Sequence, residues 1–272
     1  MSNMQTEQAS AVAAAFVAAR RSGQPLAAYP GERPVDLAEA YVIQDCAIRM
    51  DGRAVVGWKV GRINPPLDAQ LHSNRLAGPI FQGSIAQYGA GGEVPAMPVI
   101  AAGFAAAEAE LLLHVAPGWR GGVPTDDAGA RALLDEVRLG IEIASSPYPG
   151  INADGPPVTV SDFGNNQGLV MGPVLAGWRD ADLCAIVVRT EIDGEVVGEA
   201  TAATMLDGPY GAVRFLLANL QSRGIDASAG LWVSTGAITG VHDVRPGQHV
   251  RAVFGAHGAV ECQIKTSRGS HD

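Results

Sequence analysis

The chain has 272 residues, with 19 Lys and Arg against 28 Asp and Glu, for a net charge of −9. That balance excludes a phosphate-backbone binder, which needs clustered basic residues. With 47% hydrophobic and 17% charged residues, global disorder is excluded and a sizeable core is affordable in apolar side chains.

The 34 glycines and 17 prolines favour strands and tight turns over a helical bundle. Cys46, Cys184 and Cys262 are far apart and odd in number, so neither a disulfide framework nor a zinc ribbon is expected and a reducing cytoplasm fits. No apolar run approaches the roughly 20 residues of a membrane span. The opening Met1-Ser2-Asn3-Met4-Gln5 lacks the basic start and long apolar stretch of a signal peptide. The expectation is a cytoplasmic protein with no nucleic-acid or membrane partner.

Residues 6–22 are alanine-rich, with Val12, Phe16 and Ala19 at helical spacing, and Gly23 ends that helix. Asp36 with Glu39 reads as a capping box opening a second helix that Asp51-Gly52 closes. Strand character begins at Ala54–Val60. A long loop through Pro65, Pro66, Gly78 and Pro79 is expected next, and Gly89-Ala90-Gly91-Gly92 reads as a tight loop. Ala107–Val115 is a clear strand. Asp126 or Asp127 caps a helix to about Glu136, and Val137–Ser145 is a further strand. Ile186–Ile192 and Glu195–Thr201 flank Asp193-Gly194, a preferred hairpin dipeptide. A helix over about Tyr210–Arg223 stops at Gly224, and strands return at Leu231–Ser234, Val250–Phe254 and Ala259–Lys265. The pattern predicts a helical N-terminal segment, 1–52, packed on a β-rich body, 53–272, as one folding unit.

Side chains alternate faces along a strand. On Ala107–Val115, Ala109, Leu111, Leu113 and Val115 share one face, and Glu108, Glu110, Leu112 and His114 the other. Glu108 and Glu110 thus point the same way, roughly 7 Å apart. They repel unless water or a cation separates them. A solvated sheet face is the plain alternative. Val137–Ser145 repeats the pattern, with Glu142 between the small Gly140 and Ala144 on the face away from the core. Three such carboxylates in one cavity suit a hard divalent cation such as Mg²⁺ or Mn²⁺. His114 reads as structural or supporting. On Ala54–Val60, Lys59 shares its face with Gly57 and Gly61, which leave room for a pocketed lysine; a surface lysine is the alternative. Burial or a nearby cation lowers a lysine pKa toward the range of proton transfer. His72, His242, His249, His257 and His271 are scattered and read mostly as surface residues.

Gly57-Trp58-Lys59-Val60-Gly61, then Glu108-Ala109-Glu110, then Glu142, resembles the 2-keto-4-pentenoate hydratase group of the fumarylacetoacetate hydrolase superfamily. The resemblance extends to Tyr41 and Gln44, to Ser161-Asp162 before Gly168-Leu169-Val170-Met171-Gly172, and to Ser234-Thr235-Gly236-Ala237. It implies an α+β fold, a mixed β-sheet roll with peripheral helices. It implies a divalent metal, Mg or Mn, on Glu108, Glu110 and Glu142, and a small-molecule 2-oxo acid as substrate. It also implies Lys59 and Asp162 as catalytic residues, Asn165, Asn166, Ser234 and Thr235 as substrate-binding residues, and a homo-oligomer. The reaction implied is water addition to a 2-hydroxy-2,4-dienoate.

Two departures stand out. Gly78-Pro79-Ile80-Phe81-Gln82-Gly83-Ser84 lacks the acidic residue usual in hydratases, and an Asp-Asn-Ala-Ser-like stretch is replaced by Asp162-Phe163-Gly164-Asn165-Asn166. The part of the site that handles water is altered, so a decarboxylase or C–C hydrolase on the same scaffold stays open, as does a non-catalytic 2-oxo acid or metal binder.

Overall fold

A computed structural model describes residues 3–89, 93–267 and 269. Met1, Ser2, Ala90, Gly91, Gly92 and His271 lie outside the described residues, and with them most of the loop expected at 89–92.

Two helices begin the chain, α1 (Asn3–Ser22) and α2 (Leu37–Asp51). Asp36 caps α2 by accepting from the Glu39 N–H at 2.9 Å, and the Glu39 carboxylate reaches back to the Val35 N–H at 3.0 Å. Gly52, at φ 79°, supplies the left-handed residue that ends it. Val12 and Phe16 of α1 and Ile43 and Ala47 of α2 bury against Phe81, Tyr148, Val158 and Phe163, so the helices share a core with the β-rich body.

The strands follow as β1 (Val55–Arg62), then, after the single-turn α3 (Leu67–Gln70), β2 (Arg75–Phe81), β3 (Ile85–Gln87), β4 (Ala96–Val99) and β5 (Phe104–Val115). The region expected as one long loop therefore contains β2, whose residues are all buried. Proline is tolerated there because β2 is an edge strand. Gly78 is required because a Cβ would fall 2.0 Å from the Phe163 carbonyl oxygen. Next come α4 (Asp127–Ala132) and β6 (Leu134–Ser146). The helix stops earlier and the strand starts earlier than expected, because pairing with β5 continues to His114–Glu136 and Val115–Leu134 and overrides local propensity. The chain continues through α5 (Pro156–Ser161), β7 (Asn166–Val174), the hairpin β8 (Val187–Ile192) and β9 (Glu195–Thr201), and α6 (Gly208–Ser222). It ends with β10 (Leu231–Ser234), β11 (His242–Asp243), β12 (His249–Phe254) and β13 (Ala259–Thr266).

One mixed sheet runs β2-β1-β10-β5-β6-β7-β3, with β11 also on β5. A second runs β4-β13-β12-β8-β9. Leu111, Leu113, Leu139 and Ile141 join Val250, Phe254 and Val260 in the main core, with Leu216 and Leu217 of α6. Each such side chain contributes about 1.5–3 kcal/mol when fully buried. Among the described residues no helix is long and apolar enough to cross a membrane.

Candidate metal centre

β5 and β6 pair with Glu108 opposite Glu142 and Glu110 opposite Gly140. Both faces of β5 are covered, so the carboxylates are not on a solvated face: Glu108 is 5% exposed, and Glu110 and Glu142 are fully buried. Gly140 does not leave space beside Glu142. Its missing Cβ makes way for Leu112, whose Cδ1 would lie 2.5 Å from it.

The three glutamates each offer an oxygen, all within 4.8 Å of one another. The surrounding hydrogen bonds leave one oxygen of Glu110 and one of Glu142 without a hydrogen bond. Glu110 Oε2 accepts from Ser234 Oγ and from the Gly236 N–H at 3.0 Å, while its Oε1 has no partner. Glu142 Oε1 accepts from Asn166 Nδ2 at 2.8 Å. Its Oε2 receives no aligned hydrogen bond and lies 3.3 Å from Lys59 Nζ. Buried carboxylate oxygens that accept no hydrogen bond are costly, and an all-oxygen set with free lone pairs fits a hard divalent cation. The group can hold one.

Burial pushes the Glu108 carboxyl up to about 7; Lys59 pulls it down and Glu142 raises it further. Burial, then Glu142 and Glu108, hold Glu110 well above the usual carboxylate range. Protons held on these carboxyls would have to leave for a cation to bind.

Lys59 is 4% exposed, so it is a pocketed lysine. Its Nζ donates to Asn165 Oδ1 at 3.2 Å. Burial pushes its pKa down, but Glu142, Glu108 and Glu110 outweigh this and hold it above the ordinary value. The lowering expected from burial alone is thus reversed while the carboxylates are uncompensated. The flanking glycines also differ in role. Gly61 borders the lysine, whereas Gly57 permits β10 to approach, since a Cβ there would sit 2.7 Å from the Trp232 carbonyl oxygen. The lysine stem rests instead on Gly164, whose Cβ position is 3.4 Å from Lys59 Cδ.

Lys59, Glu108, Asn165 and Thr235 share a cavity of about 520 Å³. Thr235 Oγ1 is anchored on the Leu111 carbonyl at 2.9 Å. Asn166 and Ser234, expected on the substrate, stand behind the carboxylates as their donors. Asp162, expected as catalytic, is not on the cavity wall. It is fully buried, with Oδ1 2.5 Å from Arg20 Nε and Oδ2 accepting from Ser146 Oγ at 2.6 Å. His114 lies elsewhere, bonded to Asp135 at 2.6 Å and against the Trp232 ring.

Sequence reasoning missed Asn152, Arg62 and Arg20. Asn152 and Arg62 line the cavity, and Asn152 Oδ1 accepts from Asn165 Nδ2 at 3.0 Å. Arg20 sits in the last turn of α1, where a basic residue is ordinary dipole compensation and carries no signal of a site.

No protein-family model matches the sequence. The chain is 30% identical over 133 residues to a 4-oxalocrotonate decarboxylase of Pseudomonas putida, covering 49% of this chain and 50% of the relative. It is 32% identical over 119 residues to the 4-oxalocrotonate decarboxylase of Pseudomonas sp. strain CF600, covering 44% and 45%. The chain thus spans about half the length of the curated relatives it matches. Among solved structures, 4-oxalocrotonate decarboxylase from Pseudomonas putida G7, complexed with magnesium and adipate, superposes with a TM-score of 0.78 at 23% identity, over 95% of this chain and 97% of that one. Fumarylpyruvate hydrolase from Pseudomonas aeruginosa, in complex with Mn²⁺ and pyruvate, gives a TM-score of 0.57 at 14% identity, over 79% and 91%. These likenesses show the fold, the fumarylacetoacetate hydrolase-like architecture that the resemblance implied.

Proposed function

We propose that the protein is a divalent-metal-dependent lyase of the cytoplasm that decarboxylates a 2-oxo-enedioate of the 4-oxalocrotonate kind. The observation that carries this reading is the acid inventory of the cavity. Among the described residues on its wall, Glu108 is the one carboxylate, and it belongs to the metal group. Water addition calls for a further acid–base group to activate water. Decarboxylation calls for an electron sink at the 2-oxo end. The matched decarboxylases, and the neighbour holding magnesium and the dicarboxylate adipate, support the same reading.

Glu108, Glu110 and Glu142 would hold Mg²⁺ or Mn²⁺, which supplies positive charge where enolate charge develops. The C–C bond to the distal carboxylate breaks and CO₂ leaves. The electron pair moves through the conjugated chain to the 2-oxygen, and one proton taken up there completes a 2-hydroxydienoate. Lys59 is the cavity group placed to hold and deliver that proton, with Asn165 fixing its Nζ. Arg62, exposed on the cavity wall and without an ion-pair partner among the described residues, suits the second carboxylate as the substrate enters. A closed homo-oligomer belongs to this reading.

Hydration of a 2-hydroxydienoate is the second reading, favoured by the ordered set from Gly57 to Glu142. Incubation of a 2-oxo-enedioate, and separately of a 2-hydroxydienoate, with the Mn²⁺-loaded protein separates the two. CO₂ release from the first with no change in the second is the expected result. Water gain by the second without CO₂ release from the first would select hydration.

A further inference from the structure

We infer that Arg20 is a positioning residue for both the carboxylate group and Lys59, acting through Asp162 and the turn that follows it. The inference rests on the reading of the site as a metal-dependent 2-oxo acid enzyme.

The Arg20 side chain is 11% exposed, and its guanidinium reaches six acceptor atoms on four residues. Nε and Nη2 grip the two Asp162 oxygens at 2.5 and 2.9 Å. Nη2 also reaches the carbonyls of Ser145 at 2.8 Å and Asp162 at 3.2 Å. Nη1 reaches the Asn166 carbonyl at 3.0 Å and Gln167 Oε1 at 2.9 Å. One fork therefore ties the end of β6, the start of β7 and Asp162 together. Five donors in a fixed plane make arginine suited to this, where lysine offers only a point charge.

Between those ties the backbone does something unusual. Phe163, Gly164 and Asn165 have φ of 56°, 59° and 57°, three left-handed residues in succession. Single residues visit that region, and a bulky one such as Phe persists there only when its surroundings impose it. Arg20 imposes it from one side, with its guanidinium carbon 5.2 Å from the centre of the Phe163 ring. The close approach of Gly78 to Phe163 imposes it from the other.

The turn delivers two side chains to the site. Asn165 Oδ1 receives Lys59 Nζ, and Asn166 Nδ2 donates to Glu142 Oε1. Arg20 touches neither Lys59 nor a glutamate and is not on the cavity wall. Its influence on the site runs through the turn. Partners that orient ligating carboxylates carry affinity in this way.

The test uses the full chain with Arg20→Lys, Arg20→Ala, Asn165→Ala and the double variant Arg20→Lys/Asn165→Ala. Mn²⁺ affinity is read by calorimetry, folding by circular dichroism, and kcat and KM with a 2-oxo-enedioate. Arg20→Lys keeps the charge and serves if Arg20→Ala does not fold. The expected result is a folded Arg20→Lys protein whose Mn²⁺ affinity drops about 10–100-fold, the usual scale for such partners. Its kcat should fall more than its KM rises. The double variant should be no worse in kcat than the worse single variant, because both act on the Lys59–Asn165 contact. Methylguanidinium added to folded Arg20→Ala should return part of the Mn²⁺ affinity. Wild-type Mn²⁺ affinity in folded Arg20→Lys, or strictly additive losses in the double variant, would overturn the inference. If the wild-type chain turns over no 2-oxo acid while Arg20→Lys still weakens Mn²⁺ binding, the functional reading fails and the positioning role stands.

Discussion

Glu108 and Glu142 stand directly opposite each other across the β5–β6 pair, both buried, with Lys59 Nζ 3.3 Å from Glu142 Oε2. Like charges directly opposite in a sheet destabilise it. One lysine stands against three carboxylates, and protons or a bound cation would relieve the repulsion among them.

Stability should therefore depend on pH in an inverted sense. Glu108 is held up to about 7 against an ordinary 4.5, and Glu110 is shifted the same way. Between those values the folded metal-free chain keeps a proton that the unfolded chain has lost. The associated stability is complete below about pH 4.5 and is lost as the pH rises through about 7. Thermal melts of metal-stripped protein should show Tm falling over this window, less steeply in Glu108→Gln. Excess Mg²⁺ should raise Tm more at the alkaline end than at the acidic end. Equal slopes in the wild type and Glu108→Gln would contradict this.

Glu110→Gln should separate folding from metal binding. Glu110 Oε1 is buried without a partner, and a neutral amide retains an acceptor for Ser234 and Gly236. The metal-free variant should melt at or above the wild type near pH 8, while Mn²⁺ affinity falls at least about 100-fold, beyond what supporting partners cost. A variant that binds Mn²⁺ like the wild type would remove Glu110 from the site.

The glutamates and the lysine were legible in the sequence because strand alternation places side chains on faces without knowledge of the fold. Pairing register was not. It alone sets Glu108 against Glu142, and it turned the Gly78-Pro79 segment, locally a loop, into the buried edge strand β2. The burial of Asp162 against Arg20 was not legible, because that partner lies 142 residues away in sequence. Gly57 and Gly140 read as space for functional groups. They serve the close approach of Trp232 and Leu112.

Arg62→Met should alter substrate choice more than chemistry. One charge-assisted hydrogen bond contributes about 1.5–3 kcal/mol, so KM for a 2-oxo-enedioate should rise about tenfold or more. Metal affinity, and KM for a monocarboxylic 2-oxo-enoate read by enolisation, should stay near wild type. Equal effects on the two substrates would take Arg62 out of recognition.

Lys59→Met should lower kcat by roughly 10²–10⁴-fold, the scale of one acid–base group. Mn²⁺ affinity should hold or tighten, because the substitution removes a cation that competes beside Glu142. Turnover near wild type would assign the proton to another group.

The claim on which the rest depends is that Glu108, Glu110 and Glu142 bind one divalent cation in exchange for protons. Titration of Mn²⁺ into metal-stripped protein near pH 6.5, in two buffers of different ionisation enthalpy, reads both quantities at once. The expected result is one Mn²⁺ per chain with net proton release, and binding at least about 100-fold weaker in Glu110→Gln. Binding without proton release, or binding unchanged in Glu110→Gln, would contradict it.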